Sequence, residues 1–424
     1  MAERRGSMAG KRAIFSWCLY DWANSAYPTV VTTFVFGAYF ITAVAETPES
    51  GTAAWGYAVG IAGLAVALFS PVLGAIADRG GRRKPWLAVL TMAGVMATAL
   101  LWFTRPDSGD IVWALVFVML SSIAFEFAMV FYNAMLPDLA GSDRVGRVSG
   151  WGWSLGYAGG LACLVIALFG FVKTDTPLFG IPTEDAAHVR AVVLLAAAWF
   201  ALFSLPLFLF TPDRPSTGVG VSRAVREGLA TLRATIRNIR NYGAILRFLV
   251  ARMFYADGLV TLFAVGGIYA AGTFGMDFGE VIQFGIALNV TAGVGSLAFA
   301  WADDRIGAKP VIVISLVALI GLGAGALVVE SKTAFWVIGM ALGVFVGPAQ
   351  SASRSMMARL APENLRTEMF GLYALSGKAT AFMGPIAFGF ATALFDSQRA
   401  GMATILVFLV VGLLLLIPVR EPPH

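Results

Sequence analysis

Charge is scarce in this sequence. Only 13% of its 424 residues are Asp, Glu, Lys or Arg, against about 25% in ordinary soluble domains. Hydrophobic residues make up 58% before the 47 glycines are counted, and the mean hydropathy is +0.78. A globule in water needs polar cover, so a soluble fold is excluded and the chain reads as an integral membrane protein. Cysteine is nearly absent. Cys18 and Cys163 each sit in an apolar segment, which excludes a disulfide framework. The two histidines, His188 and His424, fall in a loop and at the C-terminus, so no metal-ligand spacing exists. A glycine-rich phosphate loop ending in Lys-Ser or Lys-Thr is missing, which argues against direct ATP drive. With no nucleophile–base pair suggested either, neither an enzyme nor a bound cofactor is expected. The short alternating segments of a β-barrel are also lacking.

What is present is a series of long apolar runs, such as 401–418. A membrane-spanning helix needs about 20 apolar residues. Twelve spans are read at 15–44, 53–77, 85–104, 111–137, 150–172, 189–211, 244–272, 279–302, 310–330, 333–358, 368–395 and 400–418. No cleavable signal peptide is expected: residues 1–12 are basic, but the following segment is too long and carries Asp21. The pI near 9.3 would suit a nucleic-acid partner, yet the basic residues follow the topology. Arg4, Arg5, Arg79, Arg82, Arg83, Lys84, Arg144, Arg147, Arg305, Lys309, Arg359 and Arg366 all fall on the side of the two termini. The opposite loops hold only Arg105, Lys173, Arg190, Lys332 and Arg399. The positive-inside rule therefore expects both termini in the cytoplasm.

The long central loop is basic and amphipathic. Val221, Val225, Leu229, Leu232, Ile236 and Ile239 recur at helical steps, with Arg223, Arg226, Arg233, Arg237 and Arg240 between them. A helix lying on the cytoplasmic leaflet, in contact with membrane lipids, is expected. The chain also repeats. Asp78-Arg79-Gly80-Gly81 after span 2 matches Asp304-Arg305-Ile306-Gly307 after span 8, and Leu139-Ala140 before span 5 matches Leu360-Ala361 before span 11. The implied organisation is a six-helix bundle over 1–211, a linker over 212–243 and a second six-helix bundle over 244–424, the layout of a repeat transporter.

The segment Gly74-Ala-Ile-Ala-Asp78-Arg79-Gly80-Gly81-Arg82-Arg83-Lys84, with its degenerate copy at Asp304, resembles the loop signature of the major facilitator superfamily. A narrower resemblance is to its autophagy-related vacuolar effluxer branch and that branch's bacterial relatives. Tyr20-Asp21-Trp22-Ala23-Asn24-Ser25-Ala26-Tyr27, Phe131-Tyr132-Asn133-Ala134-Met135-Leu136-Pro137, Tyr255-Ala256-Asp257-Gly258, and Gly371-Leu372-Tyr373 with Ser376-Gly377-Lys378 carry it, in that order. The resemblance implies an all-α fold of twelve transmembrane helices in two pseudo-symmetric bundles, a monomer, and alternating access. From the fungal vacuolar members it implies export of neutral amino acids such as leucine, isoleucine and tyrosine. It also implies that Asp78 contacts span 11 and stabilises the state closed to the cytoplasm, with Arg82 pairing an acid near the end of span 4, plausibly Asp138.

A charge inside a bilayer costs a few kcal/mol or more on insertion scales, so such residues face a cavity or a partner. Glu126, Asp257 and Lys378 fall near the centres of their spans; Asp21, Arg252 and Arg354 lie nearer the cytoplasmic ends. Lys378 reads as an anchor for a substrate carboxylate, or as an ion-pair partner of Glu126 or Asp257. Those two acids read as ligands for a substrate ammonium group or as proton carriers. Asp21, Asn24 and Tyr27 share a face of span 1, as a pocket wall or a helix-end network. Tyr132, Asn133 and Arg354 read as a gate, with Arg354 alternatively pairing Asp138 or another acid. Arg252 is expected to pair Asp21 across the seam between halves.

The expected function is secondary transport of a small amphipathic solute, an amino acid first, by efflux through a bacterial inner membrane, with protons as a candidate coupling ion. A drug or lipid exporter is the first rival; it expects Lys378 neutralised, where the amino-acid reading expects it free. A non-transporting membrane sensor is the second.

Overall fold

The computed structural model describes residues 10–141 and 143–421. Arg4, Arg5 and His424 lie outside them, as do the side chains of Val221, Ile239 and Arg240. Twelve helices are long and apolar enough to cross a membrane. Spans 1 to 6 are Lys11–Val44, Pro48–Gly80, Lys84–Phe103, Ser108–Leu139, Val145–Val172 and Glu184–Phe210. Spans 7 to 12 are Gly243–Phe274, Gly279–Ile306, Ala308–Val328, Lys332–Leu360, Glu363–Phe395 and Gln398–Leu416. They form an all-helical protein of two pseudo-symmetric six-helix halves, and no strand occurs among the described residues. Large apolar side chains such as Tyr57, Val89, Phe169 and Phe390 cover the outside, where lipid rather than water is the solvent.

Local chemistry sets the helix ends. Thr47 caps span 2 in a reciprocal box with Ser50, and Pro48 occupies the first turn, where its missing N–H is harmless. Asp277 and Glu280 do the same for span 8. Gly81 and Gly307, at matching places after spans 2 and 8, take φ of +83° and +96°, which a side chain resists. The sharp turns there let Asp213 accept the N–H groups of Arg83 and Lys84 at the start of span 3, and Glu421 those of Ala308 and Lys309 at the start of span 9.

Spans 1 and 11 are irregular in ways that bear on the site. Pro28 removes an N–H from span 1, and the ladder widens to a π-helix over Tyr27–Phe34. Span 11, expected as one helix over 368–395, is instead two half-helices, Arg366–Lys378 and Met383–Phe395, with a break between them. Pro385 thus falls in the first turn of the second half-helix, where it breaks no bond. Span 10 continues through Gly347-Pro348 as a single helix.

The linker helix, Val221–Arg237, does not simply lie on a leaflet. It docks on the end of span 2: Gly228 sits against the Ile76 backbone, and Arg79 donates to Thr231. Leu229 and Ile236 stay exposed. The glycine stripes of spans 5 and 10 pack within each half. Gly152, Gly156 and Gly160 meet span 1, while Gly339, Gly343 and Gly347 meet span 8. Contact between the halves uses other glycines. Gly74 and Gly371 bring spans 2 and 11 together, and Gly146 and Gly150 bring spans 5 and 8 together.

Candidate functional site

A cavity of about 330 Å³ lies between the two halves. Span 1 lines it with Asp21, Asn24, Ser25 and Pro28, and span 4 with Phe125, Glu126, Met129, Val130 and Asn133. The second half contributes Arg252, Tyr255, Leu259 and Val260 from span 7, Gln350, Ser353 and Arg354 from span 10, and Tyr373, Gly377 and Lys378 from span 11. A vestibule of about 510 Å³ shares Pro28, Trp153 and Gln350 with it and continues past Phe34, Phe263 and Asn289, away from the termini. Tyr157 and Gln350 join the halves at the junction, 2.7 Å apart.

Arg354 forms the floor. Its Nη1 lies 2.8 Å from Asp21 Oδ2 and 3.4 Å from Asn133 Oδ1, while Nε and Nη2 donate to the hydroxyl and carbonyl of Ser149. Trp17, Tyr132 and Trp153 surround the guanidinium with their rings, a setting that favours Arg over Lys. Both charged groups are buried, so each depends on the other.

Below that floor, at the end of the bundle carrying the termini, two clasps join the halves. Asp78 accepts from the N–H groups of Thr367 and Glu368, at 3.2 and 2.9 Å. Asp304 accepts from the N–H and Nε of Arg147, at 3.1 and 2.8 Å. Each places a carboxylate at a helix N-terminus, where free N–H groups and the dipole welcome it. Around the first clasp, Asp138 pairs with Arg83, Arg214 and Arg366. Around the second, Arg359 pairs with Asp303 and Glu421. Burial pulls the Arg83 guanidinium below its ordinary pKa, with Asp138 opposing the shift. For Arg214 burial acts the same way, but its bonds to Asp138 outweigh it and the net shift is upward.

The profile of the family described as "Vacuole effluxer Atg22 like" matches residues 50–422. The chain belongs to this Atg22-like family of the major facilitator superfamily. It is a transporter, not an enzyme. The chain is 30% identical to an "Uncharacterized MFS-type transporter YxiO" of Bacillus subtilis, over 96% of this chain and 94% of that protein. It is 26% identical to "Autophagy-related protein 22" of Cryptococcus neoformans, over 62% of this chain and 48% of that longer protein. Among solved structures it superposes on the proton:xylose symporter XylE with a TM-score of 0.75 at 12% identity, covering 97% and 96% of the two chains. It superposes on FucP in the outward conformation with a TM-score of 0.71 at 12% identity, covering 97% and 99%. These two likenesses concern the fold.

For an Atg22-like chain, the sequence candidates divide cleanly. Asp21, Asn24, Glu126, Asn133, Arg252, Arg354 and Lys378 meet around one cavity. Tyr27, Tyr132 and Asp257 do not line it. Tyr27 bonds Ser121 and Ser122 inside the first half. Tyr132 stacks on Trp17 and Tyr20. Asp257 accepts from the Gly384 N–H at 3.1 Å, capping the second half-helix of span 11, and meets Thr261. Asp78, Asp138 and Asp304 belong to the clasps.

Two pairings differ from expectation, and a third selects between alternatives. Arg83, not Arg82, reaches Asp138; Arg82 is exposed, because the Gly81 turn points the next side chain outward and the one after it inward. Arg354, not Arg252, pairs Asp21. Lys378 takes the ion-pair alternative: its Nζ lies 2.6 Å from Glu126 Oε1, across the cavity from the other half, where the amino-acid reading expects it free. Ser149 and Arg147 were not singled out as site residues, since only the spatial meeting of spans 5, 8 and 10 gives them partners.

Proposed function

We propose that this protein exports a small amphipathic solute carrying a carboxylate, an amino acid before other classes, across a bacterial inner membrane by alternating access. Both termini would lie in the cytoplasm, and the halves at 1–211 and 244–424 would rock about the cavity, tethered by 212–243. The observation that carries this reading is the cavity itself. At about 330 Å³ it stands at the low end of the roughly 300–1,000 Å³ of ligand pockets. That size suits a metabolite better than a drug or a lipid. Its lining carries three cations, Arg252, Arg354 and Lys378, against two carboxylates, Asp21 and Glu126, which favours an anionic group. Phe125, Met129, Leu259 and Val260 supply an apolar wall for an aliphatic or aromatic side chain.

Protons are the proposed coupling ion. Asp21 is held by a buried arginine, whereas the Glu126–Lys378 pair is only partly buried and borders the cavity. A proton on Glu126 would release Lys378 and loosen the bridge between halves.

The drug or lipid exporter is the second reading, favoured by the neutralised Lys378. Flux decides between them. Purified protein in liposomes, loaded with radiolabelled leucine or tyrosine, should show counterflow with unlabelled amino acid and respond to a pH gradient. Counterflow of apolar cations but not amino acids would favour the drug exporter, and ligand binding without any flux would favour the sensor.

A further inference from the structure

Arg252 is the cavity's uncompensated cation. The other two cations at this site each have a carboxylate within 2.8 Å: Arg354 has Asp21, and Lys378 has Glu126. Arg252 has none among the described residues. Its Nη1 donates to the carbonyl of Tyr373 and the hydroxyl of Ser376, both at 2.7 Å. Its Cζ lies over the Tyr373 ring, 3.5 Å from the ring centroid. All these contacts are with neutral groups, and they leave Nε and Nη2 without a protein partner among the described residues.

The backbone is shaped to hold this guanidinium. A Cβ at position 377 would meet Arg252 Nη1 at 3.0 Å and Nη2 at 3.2 Å and push the group by a few tenths of an ångström, so glycine gives it room along span 11. A partly buried arginine, fixed by stacking and two hydrogen bonds, has little rotamer freedom left to lose. Its free edge offers two parallel N–H donors, which match a carboxylate in bidentate geometry.

We propose that Arg252, held by Tyr373, Ser376 and Gly377, is the anchor for the carboxylate of the transported solute, in place of Lys378. The inference rests on the reading of this cavity as the transport site, and it gives the site its recognition element. Lys378, already joined to Glu126, then serves the bridge between halves. Arg252 comes from span 7 and its cradle from the first half-helix of span 11, so the anchor sits where these two elements meet, ahead of the break that follows Lys378.

Isothermal titration of the purified full-length protein with three related probes tests this. Leucine carries both charges, 4-methylpentanoate only the carboxylate, and leucinamide only the amine. The expected result is binding of leucine and 4-methylpentanoate but not leucinamide, with both Kd values raised about tenfold or more in Arg252→Gln and by a smaller factor in Lys378→Ala. Arg252→Lys, which keeps the charge and loses the fork, should also weaken both, and it serves if the glutamine variant does not fold. Binding of 4-methylpentanoate alone, lost in the Arg252 variants, supports the anchor and overturns the amino-acid cargo. Carboxylate binding unchanged in the Arg252 variants, or lost only in Lys378→Ala, overturns the anchor and leaves the amino-acid reading standing. Binding of leucinamide alone overturns both, and binding of none of the three overturns the carboxylate anchor.

Discussion

Arg354 and Asn133 hold equivalent places in the two halves, 221 positions apart, and they meet across the seam, Nη1 to Oδ1 at 3.4 Å. Parallel repeats related by an axis along the membrane normal bring matching positions together near that axis. The guanidinium also reaches a third partner, Asp21, at 2.8 Å. The floor of the cavity is therefore a buried ion pair between the halves, and it must part if the halves rock.

Removing one member of that pair leaves the other charge stranded. Asp21→Asn should destabilise the protein by about 3–5 kcal/mol, the usual cost of breaking a buried pair. The double variant Asp21→Asn with Arg354→Gln should recover most of the loss. Thermal unfolding in detergent reads both; a double variant no more stable than the single one would show that the pair is not coupled.

The clasps predict a shift of conformation. Asp78→Asn and Asp304→Asn each weaken a carboxylate cap on a helix of the opposite half. A cap is worth about 0.5–2 kcal/mol, and 2 kcal/mol is about a thirtyfold change in an equilibrium. Either variant should enlarge the population opened at the termini end. Spin labels at Arg82 and Asn364, exposed residues on opposite halves, would report it as a longer distance component. Unchanged distance distributions in both variants would remove the clasps from the conformational balance.

Much of this was legible in the sequence, for identifiable reasons. The twelve spans follow from apolar runs too long for anything else. The repeat is visible because Asp78 and Asp304 keep the same neighbours. The break in span 11 was harder to see. Gly384-Pro385 marks its far side, but a proline in the first turn of a half-helix and one at a kink look alike until the capping carboxylate of Asp257, from span 7, is seen in place. Charge pairing was the least legible. Arg82 and Arg83 are adjacent, and only the turn at Gly81 decides which one faces Asp138. Arg252, Arg354 and Lys378 are three cations with three nearby acids, and the choice of partners depends on how the halves dock, which no local pattern encodes.

The seam glycines give a prediction with a built-in control. A Cβ at Gly371 would run into the Ser70 carbonyl and the Pro71 backbone, and a Cβ at Gly150 would meet Ala300 Cβ at 2.6 Å. Overpacking costs about 1–3 kcal/mol, and here the cost falls only on the state in which the termini end is closed. Gly371→Val and Gly150→Val should lengthen the distance between the Arg82 and Asn364 labels. Gly63→Ala, where the added carbon meets nothing within 4 Å, should not. If Gly371→Val kept the wild-type distances, the closed seam would not be the barrier described here.

Glu126 and Lys378 carry the prediction on coupling. Their pair is partly open to the cavity, and a solvated pair contributes only about 0–1 kcal/mol to stability. Glu126→Gln should therefore unfold at nearly the wild-type temperature, unlike Asp21→Asn. Its effect should fall on energetics of transport instead. With no carboxylate paired to Lys378 in the cavity, exchange of labelled for unlabelled solute should persist while acceleration by a pH gradient disappears. Lys378→Ala should lose the same acceleration, because Glu126 then has no bridge to release. The decisive comparison is flux in liposomes with and without a pH gradient for wild type and both variants. A gradient response that survives in Glu126→Gln would move the coupling group elsewhere, with Asp257 next to be tested, since it is the remaining mid-span carboxylate and its partners, the Gly384 N–H and Thr261, are neutral.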